Sequence, residues 1–178
     1  MGQLIEKLLD ELDQSRVRLL VAIELLADED LLAPQALGKW SVADLLVNLT
    51  VWESELVTGL MRIDQGKKPG RLLAALADPE AYSQKRFEEN RGRDLDRIFD
   101  DLQQVRLQLE EWLEMLSEKQ LASKTRYAYF QGRALADIVA QTTYQRERRY
   151  LPLVEAYAQA MLAQQSEEHE YDRQNDES

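Results

Sequence analysis

The sequence predicts an all-α protein, a four-helix bundle assembled from two similar helical hairpins. Apolar residues recur at three- and four-residue steps through four long segments, the spacing of helices that bury one face. The first hairpin is repeated later in the chain. A length of 178 residues is one at which a single core buries most of the apolar surface, so one domain is expected.

The first helix is expected over 4–26, where Leu4, Leu8, Leu12, Leu19, Ile23 and Leu26 form one stripe. Pro34 and Gly38 break that pattern. Ser41 then stands where an N-cap belongs, its hydroxyl placed to accept from an amide that a helix start leaves unpaired. The second helix follows over 42–63. Gly66, Pro69 and Gly70 mark a connection, and the crossover 71–90 is expected to hold one or two short, loosely packed helical pieces, with Pro79 in a first turn. Asp94 is the expected cap of the third helix, which carries Leu95, Ile98, Leu102, Val105, Leu109, Trp112 and Leu116 in register. The fourth helix follows Gly132 and reaches about 163. The bundle is drawn at 1–165. Residues 166–178 are acidic and nearly free of aliphatic side chains, so a disordered tail is expected, with too little surface to bury against its ordering entropy.

The repeat is the more specific signal. ELDQSRVRLLVAIELLADEDL matches DLQQVRLQLEEWLEMLSEKQL at an offset of 90, placing Arg16 on Arg106, Leu26 on Leu116 and Leu31 on Leu121. SVADLLVNLTVW matches ALADIVAQTTYQ at an offset of 93, placing Asp44 on Asp137 and Asn48 on Gln141. Two hairpins, each with an apolar stripe it is unable to cover alone, dock into a pseudo-symmetric bundle.

Composition excludes several functions. A formal charge of −11 argues against affinity gained by neutralising phosphates, so no nucleic-acid partner is expected. The absence of cysteine removes disulfides, thiolate nucleophiles and cysteine-held metals. The N-terminal residues are acidic from the start and read as a helix, not a signal peptide, and no apolar run approaches the roughly 20 residues of a membrane span. A cytoplasmic protein with no membrane partner is the expectation.

LDELDQSRVRLL, ADEDL, GKWSVADLLVNLTVWESEL and RALADIVAQTTYQRERRYLPLV together resemble the DinB-like superfamily, most closely its ClbS/DfsB branch. The resemblance implies a four-helix bundle. It also implies, for several branches, a divalent metal held by one histidine on the second helix and a pair four apart on the fourth. Those positions fall here on Asn48, Arg146 and Tyr150. None is a histidine, and the one histidine of the chain, His169, lies in the expected tail. A metal needs several N, O or S donors converging on it, and a guanidinium adds a fixed positive charge instead. No metal and no cofactor are expected. A carboxylate site through Glu53 and Glu147 is the residual alternative. Pairing of two chains as a homodimer, through a leucine-rich face of the first or third helix, is also what the resemblance implies.

Counted at about 100° per residue from Leu135, Arg146 falls within about 20° of the middle of the fourth helix's apolar stripe. Asn48 and Glu53 border the inward face of the second helix on the same count. An inward guanidinium needs a partner, and Glu53 is the expected one. The cluster admits three readings. It is a structural network of Arg146, Glu53 and Asn48; or a pocket in which Arg146 and Arg149 hold a small anionic ligand between Trp52 and Tyr150; or a set of arginines reaching solvent at the bundle end. Trp40, Trp112, Tyr127, Tyr129 and Phe130 are read as packing. There is no phosphate loop, nucleophile elbow or cysteine–histidine pair. The function expected is therefore that of a small-molecule-binding DinB-like protein without the metal-dependent activity. A metal-independent hydrolase or resistance enzyme of the ClbS kind, or an oligomeric interaction module, are the alternatives.

Overall fold

The computed structural model describes residues 2–176, and helices are the only regular elements among them. The first hairpin comprises α1 (Gln3–Ile23), the short α2 (Asp28–Leu32) and α3 (Val42–Asp64). The crossover forms α4 (Gly70–Ala77) and α5 (Pro79–Glu89). The second hairpin comprises α6 (Leu95–Glu114), the short α7 (Glu118–Ala122), a 3-10 turn at Ala128–Phe130, α8 (Leu135–Thr142) and α9 (Tyr144–Asp176). The repeat is visible in the element bounds, since α2 and α7 lie at the same offset of 90 that aligns the sequences. Leu31 and Leu121, paired by that offset, are both buried.

Local chemistry sets the helix starts. Ser41 Oγ accepts from the Asp44 amide while the Asp44 carboxylate accepts from the Ser41 amide, a closed capping box at α3. Pro79 occupies the first turn of α5, capped by Asp78. Asp94 precedes α6 but its side chain caps nothing, so the expected cap there is not made. After α3 the chain reverses through Gly66 at φ 70°, a conformation that costs glycine least. α4 then returns against Gly59, where an added Cβ would lie 2.7 Å from Leu72 Cδ2.

The hairpins interlock, α3 packing mainly along α6 and α1 along α9. Their buried stripes form two apolar clusters. One gathers Leu19, Ile23, Leu45, Leu49, Trp52 and Leu102; the other gathers Leu8, Leu12, Leu56, Leu60, Leu109 and Leu113. Along α1 the change from one cluster to the other falls between Leu12 and Leu19, and along α6 between Leu102 and Leu109, leaving a polar layer at Arg16 and Arg106.

Two expectations for the last helix are corrected. It is interrupted, because Thr143 at φ −119°, ψ −106° separates α8 from α9. It also does not end near 163. Residues 166–176, expected to be disordered, continue α9 as a helix, solvent-exposed through 175. Extending a formed helix costs far less than starting one, and Glu, Gln and Arg are good helix formers, so this stretch needs no buried face. Residues 177 and 178 of the expected tail lie outside the described residues.

Candidate functional site

The polar layer is a closed set of four charges, one from each long helix: Arg16 of α1, Glu53 of α3, Arg106 of α6 and Glu147 of α9. Arg16 donates from Nε to Glu147 at 3.0 Å and from Nη2 to Glu53 at 2.9 Å. Arg106 donates to both oxygens of Glu53 and, from Nη1, to the Leu12 carbonyl at 2.9 Å. Its Nη2 also lies 3.7 Å from Glu147. All four residues are buried, and their charges sum to zero. Burial pulls the Arg106 guanidinium down, but the charge and hydrogen bonds of Glu53, with the charge of Glu147, hold it above its ordinary value.

The expected Arg146–Glu53 pair is therefore not made. Glu53 is spent on Arg16 and Arg106, and Glu147, whose Oε1 is buried without a partner, lies beside the same two cations. The cause is the interruption at Thr143. Up to Gln141 the second hairpin follows the first at an offset of 93, but beyond the break Glu53 corresponds to Glu147, an offset of 94. The inserted residue turns Glu147, not Arg146, toward the layer. A count at 100° per residue carried straight through the break turns Arg146 inward, where it is found, but misses that Glu147 faces inward too.

Arg146 instead corresponds to Trp52 in the repeat and lies on it. Its guanidinium carbon is 4.0 Å from the centre of the Trp52 ring. The residue is 5% exposed, yet it makes no ion pair and no hydrogen bond among the described residues, and its Nε is buried without a partner. Burial pushes its pKa down to about 10, the Tyr150 phenol opposing this and the charge of Arg149 adding to it.

The other predicted site residues divide around this cation. Tyr150 follows one turn later on α9 and packs against Trp40, ring centroids 5.6 Å apart. Asn48 lies one turn before Trp52 on α3, buried, with Oδ1 unpartnered. Trp52 is covered by α5, donating from Nε1 to Ser83 Oγ at 3.0 Å and meeting the Tyr82 ring edge-on at 4.6 Å. Tyr82 in turn donates to Glu55 at 3.1 Å, and its phenol is raised by burial and by the charge of Glu55. Arg149 is exposed. Glu53 belongs to the layer instead.

Sequence reading missed Arg16, Arg106 and Glu147 as a unit, although the repeat itself aligns the two arginines mid-stripe. It also missed Trp40, whose Nε1 is buried without a partner, and Arg86 of α5. His169 is exposed on α9, and among the described residues no three His, Cys, Asp or Glu side chains group as a cation site requires.

Fold and site thus define an all-helical protein of two repeated hairpins, pinned at mid-height by a neutral charge layer and carrying an unpaired arginine on a tryptophan beside it. The chain belongs to the DinB superfamily, whose family model matches residues 11–150. No curated protein and no solved structure shows significant similarity to it. Among the described residues no helix is long and apolar enough to cross a membrane.

Proposed function

We propose that this chain is a metal-independent DinB-like protein, a four-helix bundle of two pseudo-repeated hairpins, that binds a small anionic ligand at Arg146. One observation carries the reading. Arg146 is a buried arginine with no carboxylate and an unpartnered Nε, whereas Arg16 and Arg106 in the same core are both paired with carboxylates. An unpaired buried charge costs several kcal/mol unless something compensates it, and stacking on Trp52 offsets only about 1–2 kcal/mol. An oxyanion supplies the rest through charge-assisted hydrogen bonds. Trp52, Tyr150 and Trp40 give the site apolar walls, and Asn48 a polar edge.

The residues at the metal positions implied by the ClbS/DfsB resemblance support the same reading. Asn48 offers an amide, Tyr150 a phenol and Arg146 a permanent cation, a set that repels a divalent ion and attracts an anion. Chemistry of the resistance-enzyme kind would have to use Tyr150 as acid or base with Arg146 stabilising negative charge. Isothermal titration with small carboxylates and with phosphate tests the binding. Saturable binding by the wild type, absent from Arg146→Met, is expected; equal binding by the variant sinks the reading.

The same proposal includes a cytoplasmic homodimer. Val17 and Val21 on α1 are 51% and 59% exposed and Leu25 just after it 68%, beside the partly exposed Leu20 and Leu32, an apolar face that a second copy would cover. Sedimentation should show a dimer at roughly 10–50 μM that Val21→Asp converts to monomer without loss of helicity. A wild type that is monomeric throughout that range removes the dimer and leaves the ligand site untouched.

A further inference from the structure

Glu55 of α3 and Arg71 of α4 together line two neighbouring cavities, one of about 500 Å³ at the start of α4 and one of about 350 Å³ between α4 and α5. The two residues form an ion pair of unequal members. Glu55 Oε2 accepts from Arg71 Nη2 at 3.1 Å and from the Tyr82 hydroxyl at 3.1 Å, yet the Glu55 side chain is 3% exposed and that of Arg71 is 73%. Glu55 Oε1 is buried and has no hydrogen-bond partner. A carboxylate oxygen without a donor is costly in a dry place, whereas an arginine that lies mostly in solvent leaves its partner easily. Arg71 is thus a loose cover on a buried charge.

The larger cavity adds the opposite charge. Arg62 and Lys68 line it, both exposed and in no ion pair among the described residues, so three cations surround one carboxylate in a chain of formal charge −11. The first turn of α4 forms part of the same wall. Pro69 caps nothing there, no acidic residue stands in that turn, and the space beside Gly70 is open, which leaves the positive end of the helix uncompensated. Leu72 and Gly59 give the cavity an apolar side.

A simple anion would meet the cations but leave Glu55 Oε1 without a donor, and a simple cation would meet Glu55 but face Arg62 and Lys68. A ligand with both charges satisfies the whole set. We propose that this cavity binds an amino acid as its zwitterion, the ammonium donating to Glu55 and the carboxylate lying on Arg71, Lys68 and the first turn of α4. Its side chain rests on Leu72. Arg71 exchanges Glu55 for the acid group of the ligand, which enters between the members of the pair and leaves each charge with an opposite partner. The cavity shares no lining residue with the Arg146 site and does not depend on it.

The test compares compounds that differ by the acid group alone. Glycine, leucine and phenylalanine, each with its decarboxylated partner methylamine, isoamylamine or phenethylamine, are titrated calorimetrically into the wild type, Glu55→Gln, Arg71→Met and Arg146→Met. At least one amino acid is expected to saturate the wild type and to bind about tenfold or more tightly than its amine, the ratio that one charge-assisted hydrogen bond gives. Glu55→Gln and Arg71→Met should each weaken that amino acid about tenfold or more, while Arg146→Met binds it as the wild type does. Arg71→Met changes an exposed side chain and carries the test even if Glu55→Gln fails to fold. An amine that binds as tightly as its amino acid, binding left unchanged by Glu55→Gln or Arg71→Met, or no saturable binding by any of the three would overturn the inference. Loss of binding in Arg146→Met alone would overturn it too, by moving the amino acid to the other site.

Discussion

Arg106 and Arg146 are both more than nine-tenths buried in the same helical core, and the protein treats them in opposite ways. Arg106 shares two carboxylates with Arg16 and uses three of its nitrogens on Glu53 and a backbone carbonyl, so its charge is matched inside the protein. Arg146 has the face of Trp52 and nothing that carries a negative charge. Their pKa shifts run in opposite directions for the same reason, burial being outweighed at Arg106 and unopposed by any carboxylate at Arg146. A charge completed from within holds helices together. A charge that nothing in the protein matches is open to a ligand that completes it.

The comparison is broken most severely at Glu53. Glu53→Leu leaves Arg16 and Arg106 with one carboxylate between them and should cost roughly 3–5 kcal/mol in urea denaturation. The four charges are expected to behave as a unit. Replacing Arg16 and Arg106 by Met and Glu53 and Glu147 by Leu together should restore stability to within about 1–2 kcal/mol of wild type or exceed it, since a buried ion network contributes little over a well-packed apolar one. A quadruple variant as damaged as the sum of its single changes would show that the layer is not self-contained.

Arg146 lies outside that unit, which predicts much smaller numbers. Arg146→Met should be neutral or stabilising, by up to about 2 kcal/mol, because it removes a buried charge together with one cation–π contact. Combined with Glu53→Leu it should be additive to within about 0.5 kcal/mol. Coupling of several kcal/mol between those two positions would mean that they form one network after all.

The same contrast explains what the sequence revealed. The helices, the Ser41 cap and the two-hairpin repeat were legible because each rests on local periodicity or on a short motif. The charge layer was half legible: Arg16 and Arg106 interrupt equivalent apolar stripes, Leu12 to Leu19 and Leu102 to Leu109, and the repeat aligns them. Of its carboxylates, Glu53 was legible at the inward face of its helix, but Glu147 was hidden, because it sits inside the charged run RERR and only the single-residue interruption at Thr143 rotates it inward. That interruption has no proline or glycine to announce it. The helical continuation through 166–176 was hidden for another reason, since it depends on extension from an already formed helix and not on burial.

Thermal denaturation of wild type and Arg146→Met, at constant ionic strength with and without a bound carboxylate, tests whether Arg146 is an anion receptor. At about a hundred times its dissociation constant such a ligand stabilises by about 2.7 kcal/mol, several degrees in Tm for a chain of this size. That rise is expected in the wild type alone, with the variant starting at an equal or higher Tm and staying there. A variant that melts several degrees below the wild type without ligand, or that responds to the carboxylate as the wild type does, would contradict it.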